Sequence, residues 1–594
     1  MCLSMLPAGA FAAENNSTDE HEHSSHDGWT ALTTATYGNA IQSKIYNPKA
    51  KQEEGESPYP AGTYRFYLDE DIEPENSSSY IVSAKNGQHI IICMNGHTLK
   101  GYTANGLALF RAEPGGTITF CDCVGTGAIV AKVNPNDTTQ TGGVAAVVDS
   151  NTWFAEERLD GGIVNLYGGT LKSENPKGSV ITAEYHQDYS NDYNAGHINI
   201  YGGAVEAKPN QAAIGAARHA TLTIAGGSTI TGDVYASDMT IGTAGGDKVI
   251  INGVLKSAEE ATTIQSLVNT NITKLEATAS YKNPIESCTI GEISGRANVT
   301  IKDSTILSGT LNIYNSDSPE DRDVTIINSN LHDTVVGGRN ITIENDPASG
   351  YTVGSIKAKE FYIWQDETVE RSTVSLSGVT VNGNVTIDQS SENITASTLT
   401  LKDTTVTGTV RTAGSADTIT VDGAVNVDGR IELKDGQKIT IGENLSTNNS
   451  KINISCEQPG DIIQNPGTNT NLGPVFTSTD GELTFDNNGQ VTYAPRDDTS
   501  HTDGATYTAL IDGGTLTSGH YYLTRNLVLT KPIVISDGAE VTLCLHGFDL
   551  TASSEINMIE NSGTLHLQNC KGFRESYSTC YTGTSTFATV IQNY

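Results

Sequence analysis

The chain has 594 residues and a formal net charge of −34, from 69 acidic and 35 basic residues. Such a surface repels nucleic acid and anionic lipid, and no local basic patch offsets it. Sixty glycines, 6% aromatics and an abundance of Thr, Ile, Val and Asn favour many short strands joined by turns over helical layers. The length exceeds what one compact core holds, so either several domains or one repeat array is expected; a stacked array needs only one narrow apolar strip. The acidic loops, with Glu156, Glu157 and Asp160 beside Arg158, and Asp317, Glu320, Asp321 and Asp323 further on, lack the spacing of a helix–loop–helix calcium site.

Residues 1–12, ending in Ala10-Phe11-Ala12, read as the later half of a secretory signal with a small-residue cleavage site, which leaves Ala13 as the mature start. The basic segment that opens such signals is missing, so the expectation is a late start or a fragment. Residues 13–28 are polar and carry His21, His23 and His26; they read as a spacer in preference to a metal-binding tail. No apolar run of membrane-spanning length follows.

From residue 29 to 456 the sequence is periodic. Short β-branched runs end in small turns, as in Ile163-Val164-Asn165-Leu166-Tyr167-Gly168-Gly169 and His197-Ile198-Asn199-Ile200-Tyr201-Gly202-Gly203. The shape returns at Val299, Val324, Val374 and Leu399; Val299 to Val324, Val374 to Leu399 and Val385 to Val410 are each 25 residues apart. Repeats of that length built from strands and turns mean a solenoid. Within each run apolar and polar residues alternate, so every second side chain points inward, and stacked coils align the same strand into parallel ladders. The expected fold is all-β: a right-handed parallel β-helix solenoid, with the start of a second β-helix module at the C-terminus.

That second start rests on a larger duplication. HDGWTAL from His26, then PAGTYRFYLDEDI, HIIICMNGHTL and TITFCDCVGTG, return in order from His501 as HTDGATYTAL, LTSGHYYLTRNLVL, EVTLCLHGFDL and TLHLQNCKG. Gly87 aligns with Gly538, Cys93 with Cys544, Gly96 with Gly547 and Cys123 with Cys570. Residues 457–500 read as a linker carrying one hairpin with Asn487-Asn488-Gly489 at its turn, and residues 501–594 as a second module of which only the opening coils are present. The chain is therefore expected to continue beyond both ends.

The module opening resembles the start of right-handed parallel β-helix, pectin-lyase-like modules in large exported surface proteins of Gram-positive gut bacteria. The resemblance rests on Tyr521-Tyr522-Leu523, Ile92-Cys93-Met94-Asn95-Gly96-His97-Thr98 and Leu565-His566-Leu567-Gln568-Asn569-Cys570-Lys571-Gly572. It departs at Arg65-Phe66 in the first copy and at His546 and Phe548 in the second. It implies a fold and an exported, cell-envelope setting, and no particular reaction, because this fold hosts lyases, hydrolases and adhesins alike.

No catalytic constellation is legible. The single Asp-Asp pair is Asp497-Asp498, in the linker, and His197 follows Gly196 but precedes Ile198, unlike a Gly-His-Gly strand. The outward residues between 299 and 440 are chiefly Thr, Asn, Ser and Asp, without tuned acid–base capacity. His97 reads as a structural corner residue. Cys93, Cys121, Cys123, Cys544 and Cys570 read as small core residues, with a Cys93–Cys123 or Cys544–Cys570 bridge as the alternative. Cys121-Asp122-Cys123 is too short for half of a zinc site. No catalytic residue, metal ligand or cofactor is assigned.

One stretch breaks the period: Val164 and Ile198 stand 34 residues apart, leaving an excursion between them. Tyr185, His186, Asp188, Tyr189 and Tyr193 there, with Trp153 from the preceding coil, are the candidate ligand-binding residues, since aromatics beside carboxylates suit sugar stacking and hydroxyl contacts; a loop that buries its own tyrosines is the plainer reading. The function expected is a non-catalytic, secreted, cell-surface β-helix protein, structural or adhesive. Its partners are extracellular glycans or neighbouring surface proteins, with no nucleic acid and no membrane span. The alternative is a polysaccharide-active lyase or glycoside hydrolase, or a carbohydrate-binding module, on the same fold.

Overall fold

The computed structural model describes residues 23, 25–50, 57–73, 82–103, 108–133, 144–149, 151–152, 159–175, 179–184, 193–257, 263–278, 280–312, 323–359, 361–363, 368–388, 396–464, 466, 471–495, 504–524, 526–546, 548–552, 556–568 and 592–593. Their regular structure is nearly all strand, and almost every pairing is parallel. Two compact units divide them, the first ending at Thr334 and the second starting at Val335.

In the first unit the strands Thr30–Leu32, Gly62–Leu68, Gln88–Cys93, Thr117–Cys121, Ile163–Leu166 and Gly196–Ile200 stack in parallel, one on the next. The register is what an inward apolar column needs. Ile90, Ile118, Val164, Ile198, Leu222 and Met239 are successive Cα partners, as are Ile92, Phe120, Leu166, Ile200, Ile224 and Ile241. All twelve are buried. A second parallel ladder runs through Thr98–Thr103, Ala128–Val133, Thr170–Ser173, Ala204–Glu206 and Thr229–Thr231. A third runs through Val82–Ala84, Ala108–Ala112, Val144–Asp149 and Ile181–Glu184. Successive coils here thus feed three parallel ladders, an arrangement compatible with a β-helix solenoid.

The 25-residue offsets are structural. Val299 pairs with Val324, Val374 with Leu399 and Val385 with Val410. In the second unit Ile341, Val374, Leu399, Ile419, Ile439 and Ile463 form one buried column. Fully burying a side chain of this size contributes roughly 1.5–3 kcal/mol, repeated at each rung. The outward neighbours form hydroxyl columns instead, Thr373–Thr398–Thr418 and Ser375–Thr400–Thr420–Thr440.

Three features go beyond the repeat pattern. A short helix, Tyr37–Ile45, packs beside Thr30–Leu32 and Gly62–Leu68, with Ile41 and Ile45 buried; it covers apolar surface at a coil that has strand partners on one side only among the described residues. Gln88 and Gln437, both buried, fold back on their own turns: Lys85 N–H donates to Gln88 Oε1 and Lys434 N–H to Gln437 Oε1. The parallel ladder also runs past residue 456. Ile463–Gln464 and Phe476–Thr477 pair with the preceding coils, and the expected hairpin, Gly481–Phe485 with Val491–Pro495, follows them. Asp486 holds its turn by accepting from the N–H groups of Asn488 and Gln490.

Between residues 507 and 568 parallel strands stack again, in a pattern that mirrors the chain's beginning. Thr508–Leu510 pairs with Tyr521–Leu523 as Thr30–Leu32 pairs with Phe66–Leu68, and Tyr522 meets Cys544 as Tyr67 meets Cys93. Leu523, Leu529, Ile533, Ile535, Val541 and Leu543 form its core. No helix among the described residues is long and apolar enough to cross a membrane.

Candidate metal centre

Among the candidate ligand-binding residues, Trp153, Tyr185, His186, Asp188 and Tyr189 lie outside the described residues. For Tyr193 the backbone is described: Tyr193–Asn194 pairs antiparallel with Asn151–Thr152. The end of the excursion thus forms a small ribbon with a segment of the preceding coil, its pairing opposite to that of the solenoid coils. His197, in the next coil, sits in the sheet with its Nδ1 2.7 Å from Thr221 Oγ1. Burial lowers its pKa, with the Asp160 charge opposing, and nothing in its geometry sets it apart for catalysis.

A different constellation stands out. The strand Gln88–Cys93 departs from in–out alternation: Ile90, Ile91, Ile92 and Cys93 are all buried. Ile90 and Ile92 face the core column. Ile91 and Cys93 are buried on the opposite face together with Cys121, and Trp29, Tyr67 and Tyr167 pack against them. The segment just before the first strand lies over this patch. The His26 ring stacks on Tyr67 with centroids 4.3 Å apart, and the His23 ring lies 4.5 Å from that of Trp29. Trp29 N–H closes a turn on His26 O.

Cys93 and Cys121 are register partners on adjacent strands, but the second thiol turned toward Cys93 from the patch edge is that of Cys123, which is exposed and not a core residue. The reason is local. After Cys121 the chain leaves the sheet, and the Asp122 carboxylate accepts from Gly96 N–H at 2.8 Å and Val124 N–H at 3.3 Å, clamping the two loops together. Asn95, in the left-handed region at φ 51°, turns the facing loop; its Nδ2 donates to Leu68 O, and the Cys123 thiol donates to its Oδ1.

The result is a group of four ligand-type side chains. Ligand atoms of His23, His26, Cys93 and Cys123 all lie within 4.8 Å of one another. Cys93 Sγ and Cys123 Sγ are 3.6 Å apart, His23 Nε2 and His26 Nε2 3.0 Å, and Cys123 Sγ and His26 Nε2 3.8 Å. The thiol of Cys121, donating to Cys93, is the main cause of a Cys93 pKa pushed down to about 4, with His26 and Cys123 adding to it and burial opposing. Cys121 is pushed up in turn by donating to Cys93 and by burial, and burial raises Cys123 to about 11. All three thiols are free, so the Cys93–Cys123 bridge is not formed here, and Cys570 of the other possible bridge lies outside the described residues.

Sequence reasoning assigned no metal ligands. The signal that pointed to this group was the unalternating Ile90-Ile91-Ile92-Cys93 run, which marks a strand covered on both faces. Comparisons with protein-family models, with curated proteins and with solved structures gave no match.

Proposed function

We propose that this chain is a non-catalytic, exported cell-surface protein, structural or adhesive, built on a right-handed, pectin-lyase-like parallel β-helix that begins a second time near residue 501. The observation that carries the reading is the outward surface of the coils. Its polar groups repeat with the coil, as in the hydroxyl columns through Thr398 and Thr400, and they engage their own neighbours. Asn199 Nδ2 donates to Asn165 Oδ1 and Asn165 Nδ2 to Thr119 Oγ1, while Glu73 bridges Lys100 and Lys132. A reaction centre needs acid, base and charge-stabilising groups converging from several coils on one point; a repeating surface of self-satisfied Thr, Asn and Lys–Glu pairs instead suits a scaffold or a repetitive contact face. The acidic charge suits an extracellular protein, and extracellular glycans or neighbouring surface proteins are the fitting partners. Right-handed winding follows from the hand that parallel crossovers adopt.

The test is a glycan-array and polysaccharide screen of the full chain, scored for binding and for released reducing or unsaturated ends. Binding without product, weakened by Trp153→Ala with Tyr189→Ala, is the expected result. Released product would make the chain a carbohydrate-active enzyme and overturn the reading.

A further inference from the structure

We propose that His23, His26, Cys93 and Cys123 form a structural zinc site that fastens the segment before the first strand onto two successive coils of the solenoid. Tetrahedral Zn2+ with Zn–S near 2.3 Å and Zn–N near 2.0–2.1 Å implies edges of about 3.8 Å for S···S, about 3.6 Å for S···N and about 3.3 Å for N···N. The corresponding separations are 3.6, 3.8 and 3.0 Å. Three separate stretches of chain, none of which carries a zinc-type spacing, thus bring two sulfurs and two imidazoles together, with three of the six edges close to tetrahedral values and every ligand atom within 4.8 Å of the others.

Simpler pairings account for less. A Cys93–Cys123 disulfide would use two of the four groups and leave two imidazole Nε2 atoms facing each other at 3.0 Å. A histidine pair alone, with one Nε2–H donating to the other, leaves the Cys93 and Cys123 thiols beside it unused. A bound cation turns both Nε2 lone pairs inward at once. Two thiolates and two neutral imidazoles match Zn2+ in both softness and preferred geometry. Four protein ligands leave no open coordination position, so the role is structural, not hydrolytic. Trp29, Tyr67 and Tyr167 give the site an apolar collar.

The repeated sequence supplies an internal contrast. Cys544 keeps the register place of Cys93, but its partner on the next strand is Gln568 where Cys93 has Cys121. The histidine that opens the second block, His501, stands six residues before Tyr507, the equivalent of Trp29, whereas His26 stands three before Trp29. Gln568 Nε2 donates there to the Tyr507 hydroxyl, and Cys544 packs with Tyr507 and Tyr522. A hydrogen-bonded Tyr–Gln pair thus stands where the first copy has Trp29 and Cys121, beside the ligand group.

The proposal is independent of whether the chain is a surface scaffold, and its test reads only the metal. The full chain, reduced and stripped of metal, is titrated with Co2+ and then with Zn2+. One equivalent of Co2+ should give the intense visible bands and the thiolate charge-transfer band of tetrahedral S2N2 coordination, and Zn2+ should displace it. Cys123→Ser, His23→Gln and His26→Gln, all at the edge of the patch, should each abolish that spectrum while the β-sheet circular dichroism is retained. Cys288→Ser and Cys544→Ser should leave it unchanged. A folded chain that takes up no Co2+, gives the weak spectrum of six-coordinate cobalt, or keeps the tetrahedral spectrum after Cys123→Ser would overturn the proposal. So would a chain isolated without reductant that carries no zinc and yields Cys93–Cys123 cross-linked peptides.

Discussion

The thiols of Cys93 and Cys123 lie 3.6 Å apart across 30 residues of sequence, although the in-register neighbour of Cys93 is Cys121. A sheet strand ending at Cys121 and a loop clamped by Asp122 together bring the more distant cysteine to bear. Loop geometry therefore adds Cys123 to the sulfur that strand pairing already places beside Cys93.

If that pair holds a metal, stability becomes metal-dependent. Anything that binds only the folded chain stabilises it by mass action, about 2.7 kcal/mol at a hundredfold excess over its dissociation constant. Thermal unfolding of the zinc-loaded chain should shift upward relative to the chelated chain, and Cys123→Ser should erase the difference. An equal shift in that variant would place the zinc elsewhere.

Asp122 touches no proposed ligand atom, yet it holds the loop that presents Cys123 through Gly96 and Val124 N–H. Loss of supporting contacts of this kind costs roughly 10–100-fold in metal affinity. Asp122→Ala should weaken Co2+ binding by that order while keeping the tetrahedral spectrum. Unchanged affinity would mean that the loop is held by other contacts.

The core columns should respond far more strongly than the surface columns. Leu399, fully buried between Val374 and Ile419, should cost roughly 2–5 kcal/mol on conversion to Ala. Thr400→Ala, on the outward column, should stay within about 0.5 kcal/mol. Urea midpoints of the two variants measure the contrast, and similar shifts would contradict the inward assignment of Leu399.

Gln437 Nε2 donates to Thr412 Oγ1 at 2.8 Å and to Asp417 O at 3.0 Å, while its Oε1 accepts from Lys434 N–H. Gln437→Met keeps the volume and removes the hydrogen bonds, leaving buried polar groups unmatched at a cost of roughly 1–3 kcal/mol. Gln490→Met, which removes only the longer 3.3 Å hydrogen bond from its half-buried Nε2 to Ile463 O, should cost less by the same denaturation assay.

Glu73 is held below the ordinary carboxylate range by hydrogen bonds from Lys100 and then Lys132. A depressed folded-state value contributes stability that is present above the unfolded value of about 4.3 and is lost as pH falls through the folded one. The carboxyl resonance of Glu73 should therefore titrate below that value, and Lys100→Met should move it upward. No movement would show that the pair is not maintained in solution.

The alternation of Thr-x-Thr runs, the 25-residue offsets and the duplicated opening determined, by themselves, an all-β array of parallel ladders. Period-2 patterning leaves one inward face, and identical spacing leaves one register, so Val299 had to meet Val324 and Val374 had to meet Leu399. The candidate metal centre was not legible in that way. Its ligands come from His23, His26, Cys93 and Cys123, and the short Cys121–Cys123 spacing spoke against zinc although Cys123 alone joins the group. The helix Tyr37–Ile45 was hidden for a related reason, since it answers to an exposed coil face and not to a strong helical repeat of its own. Periodic burial is written along the chain, whereas the convergence of single side chains from separate coils exists only once those coils are stacked.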